Sequence, residues 1–413
     1  MAAALAFVVR LALILVRRTY AFPASDPFYF GMETGSIARA LASGEGFSSP
    51  FRGSTGPTAW IAPVYPAMCA AVFKLLGIYS TASAICILGL NSVFSALTCF
   101  AIGGIARRTV GERAGILSAF LWAVLPHFAK WPTEWAWDMS LSALLAGVAI
   151  WQTLEIAKES SSRRWILYGI LWGVITLTNP ALLTLLPFAA VWLYATGRPE
   201  RFWGNAATAA AMCAFLVAPW MVRNRIEMGR WVFVRDNFGF ELHMGNYHGS
   251  NGMGWQGLHP AVNPAEYAKY RWLGELEYVA QAQAAAREFI RTYPDEFVRL
   301  CWTRFTGFWD GSPMGYSTKP WPWTPLTFAI ASAVALAGLL WATWKRVPGS
   351  ALYWWLAIYP LPYYVTYPQT RYRHAIEPEM LLLSVFVVAA AVDWLRKRSA
   401  ASQEKKRPNA AAA

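Results

Sequence analysis

Residues 82–104 read ASAICILGLNSVFSALTCFAIGG, and Arg107 and Arg108 follow directly behind them. The stretch carries no charge, and at the rise of an α-helix its length matches the roughly 30 Å of hydrocarbon in a bilayer. Lipid offers the backbone no hydrogen-bond partners, so such a segment satisfies its own amides only as a helix. Basic residues at its end mark the side that stays in the cytoplasm.

The same pattern recurs outward from this stretch. Further apolar runs lie near 2–18, 110–128, 138–157, 165–178, 180–196, 206–222, 324–344, 351–367 and 379–395. A length of 413 residues alone suggests two or three soluble domains. With 56% hydrophobic and 14% charged residues and a mean hydropathy of +0.31, there is too little polar surface to cover them. The expectation is an all-α polytopic membrane protein with about 10 transmembrane helices, forming a single integral-membrane domain over residues 1–413.

Basic clusters occur at Arg107/Arg108/Arg113, Lys158/Arg163/Arg164, Arg198/Arg201, Lys345/Arg346 and Arg396/Lys397/Arg398. Keeping all five inside places both termini in the cytoplasm and leaves two long extracytoplasmic segments, 19–81 and 223–323. The net charge of +13 is thereby a topology signal, and no nucleic-acid partner is expected. Cys69, Cys86, Cys99, Cys213 and Cys301 are odd in number and lie mostly in apolar runs, so they read as small core residues. The first run lacks a convincing small-residue cleavage site and is taken as a retained helix. Arg10, Arg17 and Arg18 oppose the charge rule. Either residues preceding Met1 are missing, or these arginines point into a polar cavity.

The long segments carry helix signals of their own. Residues 63–78 are apolar but interrupted by Pro63, Pro66 and Lys74, which suits a helix lying on the outer surface. Asn263-Pro264-Ala265-Glu266 offers a cap, a proline at the first helical position and an acid behind it, opening a helix expected to reach about Thr292. Pro294 begins another, in which Phe297, Leu300, Cys301, Arg304, Phe305 and Phe308 recur at helical spacing, as in an amphipathic interfacial helix.

With that topology the polar chemistry gathers on one face. All five histidines fall there, together with Asp26, Glu33, Glu134, Asp138, Arg371, Arg373 and Glu377. Asp26 and Glu33 are candidates to deprotonate an acceptor hydroxyl, against the plainer roles of helix cap and solvated helix face. Asp138 heads a span, where it is either an N-cap or a costly carboxylate kept for function. In the last outer loop, Tyr367–Pro378 with Glu377 near its end, the residues Arg371, Arg373, His374, Tyr367 and Tyr372 suit an oxyanion such as a phosphodiester, because guanidinium groups give planar bidentate hydrogen bonds. The plain alternative is anchoring among lipid headgroups.

Three stretches resemble a known family. They are Ile37–Phe47 with Pro57–Pro66, then Pro219-Trp-Met-Val-Arg223-Asn224 with Asn237–Asn246, and Arg371–Pro378. They are similar to the bacterial branch of the GT-C membrane glycosyltransferases (the glycosyltransferase family 39-like group), related to protein O-mannosyltransferases and the lipid A aminoarabinose transferase. The resemblance implies a helical bundle whose outer loops, with juxtamembrane helices, roof a cavity. It implies a sugar donor carried on polyprenyl phosphate, and a carboxylate in the first outer loop, here Glu33 or Asp26, with Asp138 as a second acid. Family members often carry an Asp-Glu pair where this chain has Phe30-Gly31. Some relatives hold a divalent metal through Glu and His of outer loops, for which His243 and His248 are available.

The expected activity is therefore glycosyl transfer from a polyprenyl-phosphate sugar to an envelope lipid, glycan or protein, outside the inner (plasma) membrane. Arg371, Arg373 and Arg223 would hold the phosphate, with His374 and Glu377 beside them. A lipid-linked sugar flippase or transporter, or a non-catalytic envelope-assembly subunit, are the rival classes.

Overall fold

The computed structural model describes residues 1–22, 30–197, 201–254, 256–311 and 324–406. Among these there is no β-strand, only an isolated bridge between Ser48 and Pro57. The chain opens with α1 (Ala2–Arg17), α2 (Glu33–Ala42), α3 (Val64–Leu76), α4 (Thr81–Arg108), α5 (Glu112–Val124) and α6 (Pro126–Glu134). It continues through α7 (Met139–Lys158), α8 (Ser162–Thr178), a 3-10 turn (Pro180–Thr184), α9 (Leu185–Trp192) and α10 (Phe202–Met228). The large loop supplies α11 (Phe238–Gly245), α12 (Pro264–Leu273), α13 (Glu275–Thr292) and α14 (Pro294–Asp310). The last part comprises α15 (Thr324–Trp344), α16 (Ser350–Tyr353), α17 (Trp355–Ile358), α18 (Leu361–Val365), a 3-10 segment (Thr370–Ile376) and α19 (Glu377–Lys406).

Local chemistry sets many of these boundaries. Ser80 caps α4 by accepting the Ser83 amide, Ser161 caps α8 through Arg164, and Asn263 caps α12 through Ala265. The α3 helix forms where the proline-interrupted apolar stretch implied one. Each apolar run lies on helix, but three are not continuous. The run at 110–128 breaks between Val124 and Pro126, where proline has no N–H to continue the helix. The run at 180–196 winds as 3-10, α and π turns in succession, and 351–367 as three short helices around Pro360 and Pro362. The helix expected from Pro264 to Thr292 breaks at Gly274, whose φ of 76° lies in the left-handed region.

Among the described residues five helices are long and apolar enough to cross a membrane: α4, α7, α10, α15 from Leu326, and the Thr370–Ser402 stretch. The protein is a membrane protein. α4 lies at the centre, packed on α7, α1 and α5, while α8 pairs with α10 and α15 with α19. Elsewhere α10 exposes Phe215, Val222 and Ile226, as side chains facing lipid are.

Arg10 resolves the conflict at the first helix. Its guanidinium is fully buried and donates to the carbonyls of Ala6 and Ala123 (3.1 Å each), Trp122 (2.9 Å) and Phe128 (3.2 Å). Trp122 would ordinarily receive the amide of residue 126, which is a proline; Arg10 satisfies the carbonyl that the break orphans. Arg17 pairs instead with Glu134 at 2.7 Å.

A second buried arginine joins the large loop to the last helices. Arg304 of α14 is 0% exposed. Its Nε donates to Gly252 O (3.0 Å), one terminal nitrogen to Tyr364 O (3.2 Å) and Val365 O (3.1 Å), and the other to Gly245 O and Asn246 Oδ1 (3.0 Å). Gly245 and Val365 end α11 and α18, so the charge sits at two negative helix termini. Burial lowers its pKa to about 10, which leaves it charged at neutral pH. A side chain at Gly245 would meet Thr366 O at 1.9 Å, so only glycine allows this approach. Arg304→Lys keeps the charge but cannot reach this spread of acceptors. It should cost about 3 kcal/mol or more through carbonyls left without donors, seen as a lower Tm for purified protein in detergent. An unchanged Tm would show that the hub is dispensable.

Candidate functional site

The loops and helix ends enclose a cavity of about 400 Å³. Its walls come from the start of α2 (Met32, Glu33, Thr34), from residues 60–66, from the head of α7 (Trp137, Asp138, Met139) and from the α8 end (Thr178–Ala181). The large loop adds Arg235, Asn237, Phe238, Glu241 and His259, and the α18 region adds Tyr363, Thr366, Tyr367, Arg371 and Tyr372. Aromatic walls with a few converging charged groups are the composition of a small-molecule site.

Of the residues singled out in sequence, Glu33, Asp138 and Arg371 meet here. Asp26 lies outside the described residues. Asp138 occupies the N-cap position of α7 but makes no cap bond; it accepts instead from Ser142 Oγ at 3.0 Å. Asn179 Nδ2 donates to the same Ser142 oxygen at 3.1 Å, so the α8 end supports the acid from behind. Burial raises the Asp138 pKa, and the Ser142 bond and the charges of Arg235 and Arg371 offset this only in part.

Glu33 is set the other way. The residue is 8% exposed, and its carboxylate lies 3.0 Å from His259 Nε2. His259 Nδ1 accepts the Ala261 amide at 3.1 Å, so the ring proton sits on Nε2 and is donated to Glu33. Burial pushes the Glu33 pKa upward, but the His259 interaction, with Arg371 adding its charge, wins and holds it below the ordinary value. Two carboxylates in one cavity thus differ in proton affinity, the pattern that separates acid–base roles.

Arg371 stacks on Trp137 with 3.6 Å from its central carbon to the ring centroid, and lies 5.2 Å from that of Tyr372. Stacking of this kind fixes the plane of the guanidinium. Tyr372 in turn stacks on Tyr363, at 4.5 Å between centroids.

The neighbouring residues of the motif do not line the cavity, which corrects the sequence reading. Arg373 lies two residues on in a 3-10 segment of three residues per turn, so it points elsewhere. It is 2% exposed and donates to Ser332 Oγ (2.9 Å) and to the carbonyls of Trp309 and Phe328 (3.3 Å each). His374 and Glu377 belong to the same buried network. Glu377 joins His374 Nδ1 (2.8 Å) to His127 Nε2 (2.6 Å), and His374 stacks on Trp122. Arg223 also turns away: it binds the carbonyls of Phe47 and Thr58 and lies over the rings of Phe47 and Trp220. These four side chains hold the walls.

Arg235 and Glu241 were not singled out in sequence, and His259 was placed only among the outer-face histidines, without a role. Arg235 Nε donates to Asn237 Oδ1 at 2.8 Å, and Asn237 Nδ2 to Glu241 Oε1 at 2.7 Å. Of these only Glu241 had a motif-level signal, lying within the family-like stretch Asn237–Asn246. Among the described residues no three His, Cys, Asp or Glu side chains gather as a metal site. Glu33 and His259 are a carboxylate and an imidazole already bonded to each other, short of the three protein ligands usual at a catalytic zinc. His243 and His248 do not line the cavity.

The family model for dolichyl-phosphate-mannose-protein mannosyltransferases matches residues 60–222. The structure is similar to the archaeal oligosaccharyltransferase AglB from Archaeoglobus fulgidus in complex with an inhibitory peptide and a dolichol-phosphate. The TM-score is 0.59 at 14% identity, covering 99% of this chain and 52% of that one. The apo form of that organism's oligosaccharyltransferase gives 0.57 at 14% identity, with coverages of 98% and 51%. ArnT from Cupriavidus metallidurans bound to undecaprenyl phosphate gives 0.44 at 15% identity, covering 93% and 77%. No curated protein matches in sequence. The chain spans about half the length of the oligosaccharyltransferases. It is a membrane protein of the GT-C fold, and residues 60–222 resemble the dolichyl-phosphate-mannose-protein mannosyltransferase family.

Proposed function

We propose that this chain is a glycosyltransferase that moves a sugar from a polyprenyl-phosphate donor to a hydroxyl of an envelope lipid, glycan or protein. The reaction would take place on the extracytoplasmic face of the inner membrane, which the basic clusters at the opposite helix ends favour. One observation carries the reading: a stacked guanidinium, Arg371, and a carboxylate of raised proton affinity, Asp138, face one aromatic-walled cavity.

Arg371 would hold the donor phosphate and stabilise its charge as the bond from the anomeric carbon to the phosphate oxygen breaks. The acceptor oxygen bonds to that carbon, its proton passes to Asp138, and polyprenyl phosphate leaves. Asp138 suits the task because a base is most effective when its pKa is drawn toward the working pH. Glu33, held ionised by His259, would balance positive charge developing on the sugar. Among the described residues the cavity offers no cluster of three metal-ligating side chains.

In a transfer assay with radiolabelled polyprenyl-phosphate sugar, Asp138→Asn should lower turnover about a hundredfold or more with normal expression. Full activity in Asp138→Asn, beside a comparable loss in Asp26→Asn, would move the base to Asp26. Arg371→Lys keeps the charge and loses the stacked plane, so donor KM should rise roughly tenfold or more. Unchanged donor use there would sink the phosphate role.

The raised pKa of Asp138 also makes a stability claim. The stability this group contributes is complete below the ordinary carboxylate value and is lost as pH climbs through its higher folded value. Asparagine never ionises. The Tm of Asp138→Asn should therefore match wild type in acid and exceed it by about 2 °C or more at alkaline pH. A difference independent of pH would contradict the raised value.

A further inference from the structure

Beside the cavity, the large loop grips residues 47–60 of the first loop at several points. Arg223 binds the carbonyls of Phe47 and Thr58, the Asp236 amide donates to Ala59 O at 3.1 Å, and Tyr267 Oη donates to Arg52 O. Glu275, at the first position of α13 and 6% exposed, closes the grip. It accepts from the Ala59 amide at 2.6 Å, from Tyr270 Oη at 2.7 Å and from Thr58 Oγ1. Trp60 and Ile61, the next residues along, are cavity wall.

Asp236 and Glu275 hold the same residue from two elements, the Asp236 amide on Ala59 O at 3.1 Å and the Glu275 carboxylate on the Ala59 amide at 2.6 Å, which brings the two acids together. Both Asp236 carboxyl oxygens are buried, and no N–H or hydroxyl donates to them. Two carboxylates cannot both stay ionised at such range, whereas one proton between them turns the repulsion into a hydrogen bond. We propose that Asp236 and Glu275 share one proton and act as a latch that fastens the large loop over residues 47–60, releasing when that proton is lost.

Arg235 adjoins Asp236, and Arg223 lies near Glu275 with Glu227 behind it. Tyr270 supplies a hydroxyl, with Thr58 and Ala59 from the first loop. The two arginines are engaged with Asn237 and with carbonyls, and neither forms an ion pair with the two acids. Burial, the largest influence, raises both carboxyl pKa values; the proximity of Glu275 raises that of Asp236 further, while bonds from Thr58, Ala59, Tyr270 and Asp236 offset part of the rise at Glu275. The shared proton is therefore held from the ordinary carboxylate range upward, and the latch weakens as pH rises through the folded value. Because Trp60 and Ile61 follow the latched residues, release would loosen one wall of the cavity.

Amide hydrogen exchange of residues 47–62 in detergent-purified protein, corrected for intrinsic rates, tests the latch without any assay of transfer. Wild-type protection should fall by roughly tenfold or more between about pH 6 and about pH 9. Asp236→Asn retains a donor to Glu275 and cannot ionise, so it should stay protected across that range. Glu275→Ala should be unprotected throughout. If wild type is equally protected at both pH values, or if Asp236→Asn loses protection in step with it, the latch is refuted. A failed transfer assay with these exchange results intact would remove the catalytic reading alone.

Discussion

The arrangement of the cavity depends on a charge that never meets a counter-ion. Arg304 is buried among carbonyl and amide oxygens of three chain segments, two of which are helix ends. Helix C-termini leave carbonyls without intrahelical donors, and a forked guanidinium can serve several at once. Once it does, the end of α18, the end of α11 and the turn at Gly252 become one body. Thr366 and Tyr367 follow directly and reach the cavity from one side, while α11 brings Phe238 and Glu241 from the other. The site is thus assembled by hydrogen bonds between helix ends as much as by apolar packing.

How much of this was legible in sequence depended on the range of the interaction. Capping and breaking are local, so the Asn263 cap, the proline-led α14 and the helix α3 could be foreseen. The break at Gly274 was equally local but was overridden by the apparent continuity of helical residues around it. Glu33, Asp138 and Arg371 were recognisable because charge beside an apolar run is costly and conspicuous. His259 and Arg235 sit in a polar loop, where charge is cheap, and only tertiary contact distinguishes them. Arg371 and Arg373 looked equivalent in the sequence. Their separation into cavity wall and buried brace follows from the tight winding of residues 370–376, which composition does not reveal.

The two cavity carboxylates show how little chemistry is needed to divide labour. Both are acids withdrawn from water, and burial alone would raise both. A single imidazole reverses the direction for Glu33, while Asp138 has a hydroxyl from Ser142 and two arginines at longer range. Substituting the donor, not the acid, would suffice to change which group binds a proton.

Arg10 has a consequence for how the protein is made. α1 is only sixteen residues long and carries this arginine near its middle. A lone arginine at the centre of a nascent helix costs about 2.5–3.5 kcal/mol on entering the bilayer through a translocon. The four carbonyls that repay it include three between Trp122 and Phe128, more than a hundred residues downstream. During synthesis, α1 is therefore complete long before the carbonyls that satisfy Arg10 exist. Its final seating must wait until α5 and α6 have emerged, making biogenesis of this bundle cooperative across distant segments instead of strictly sequential.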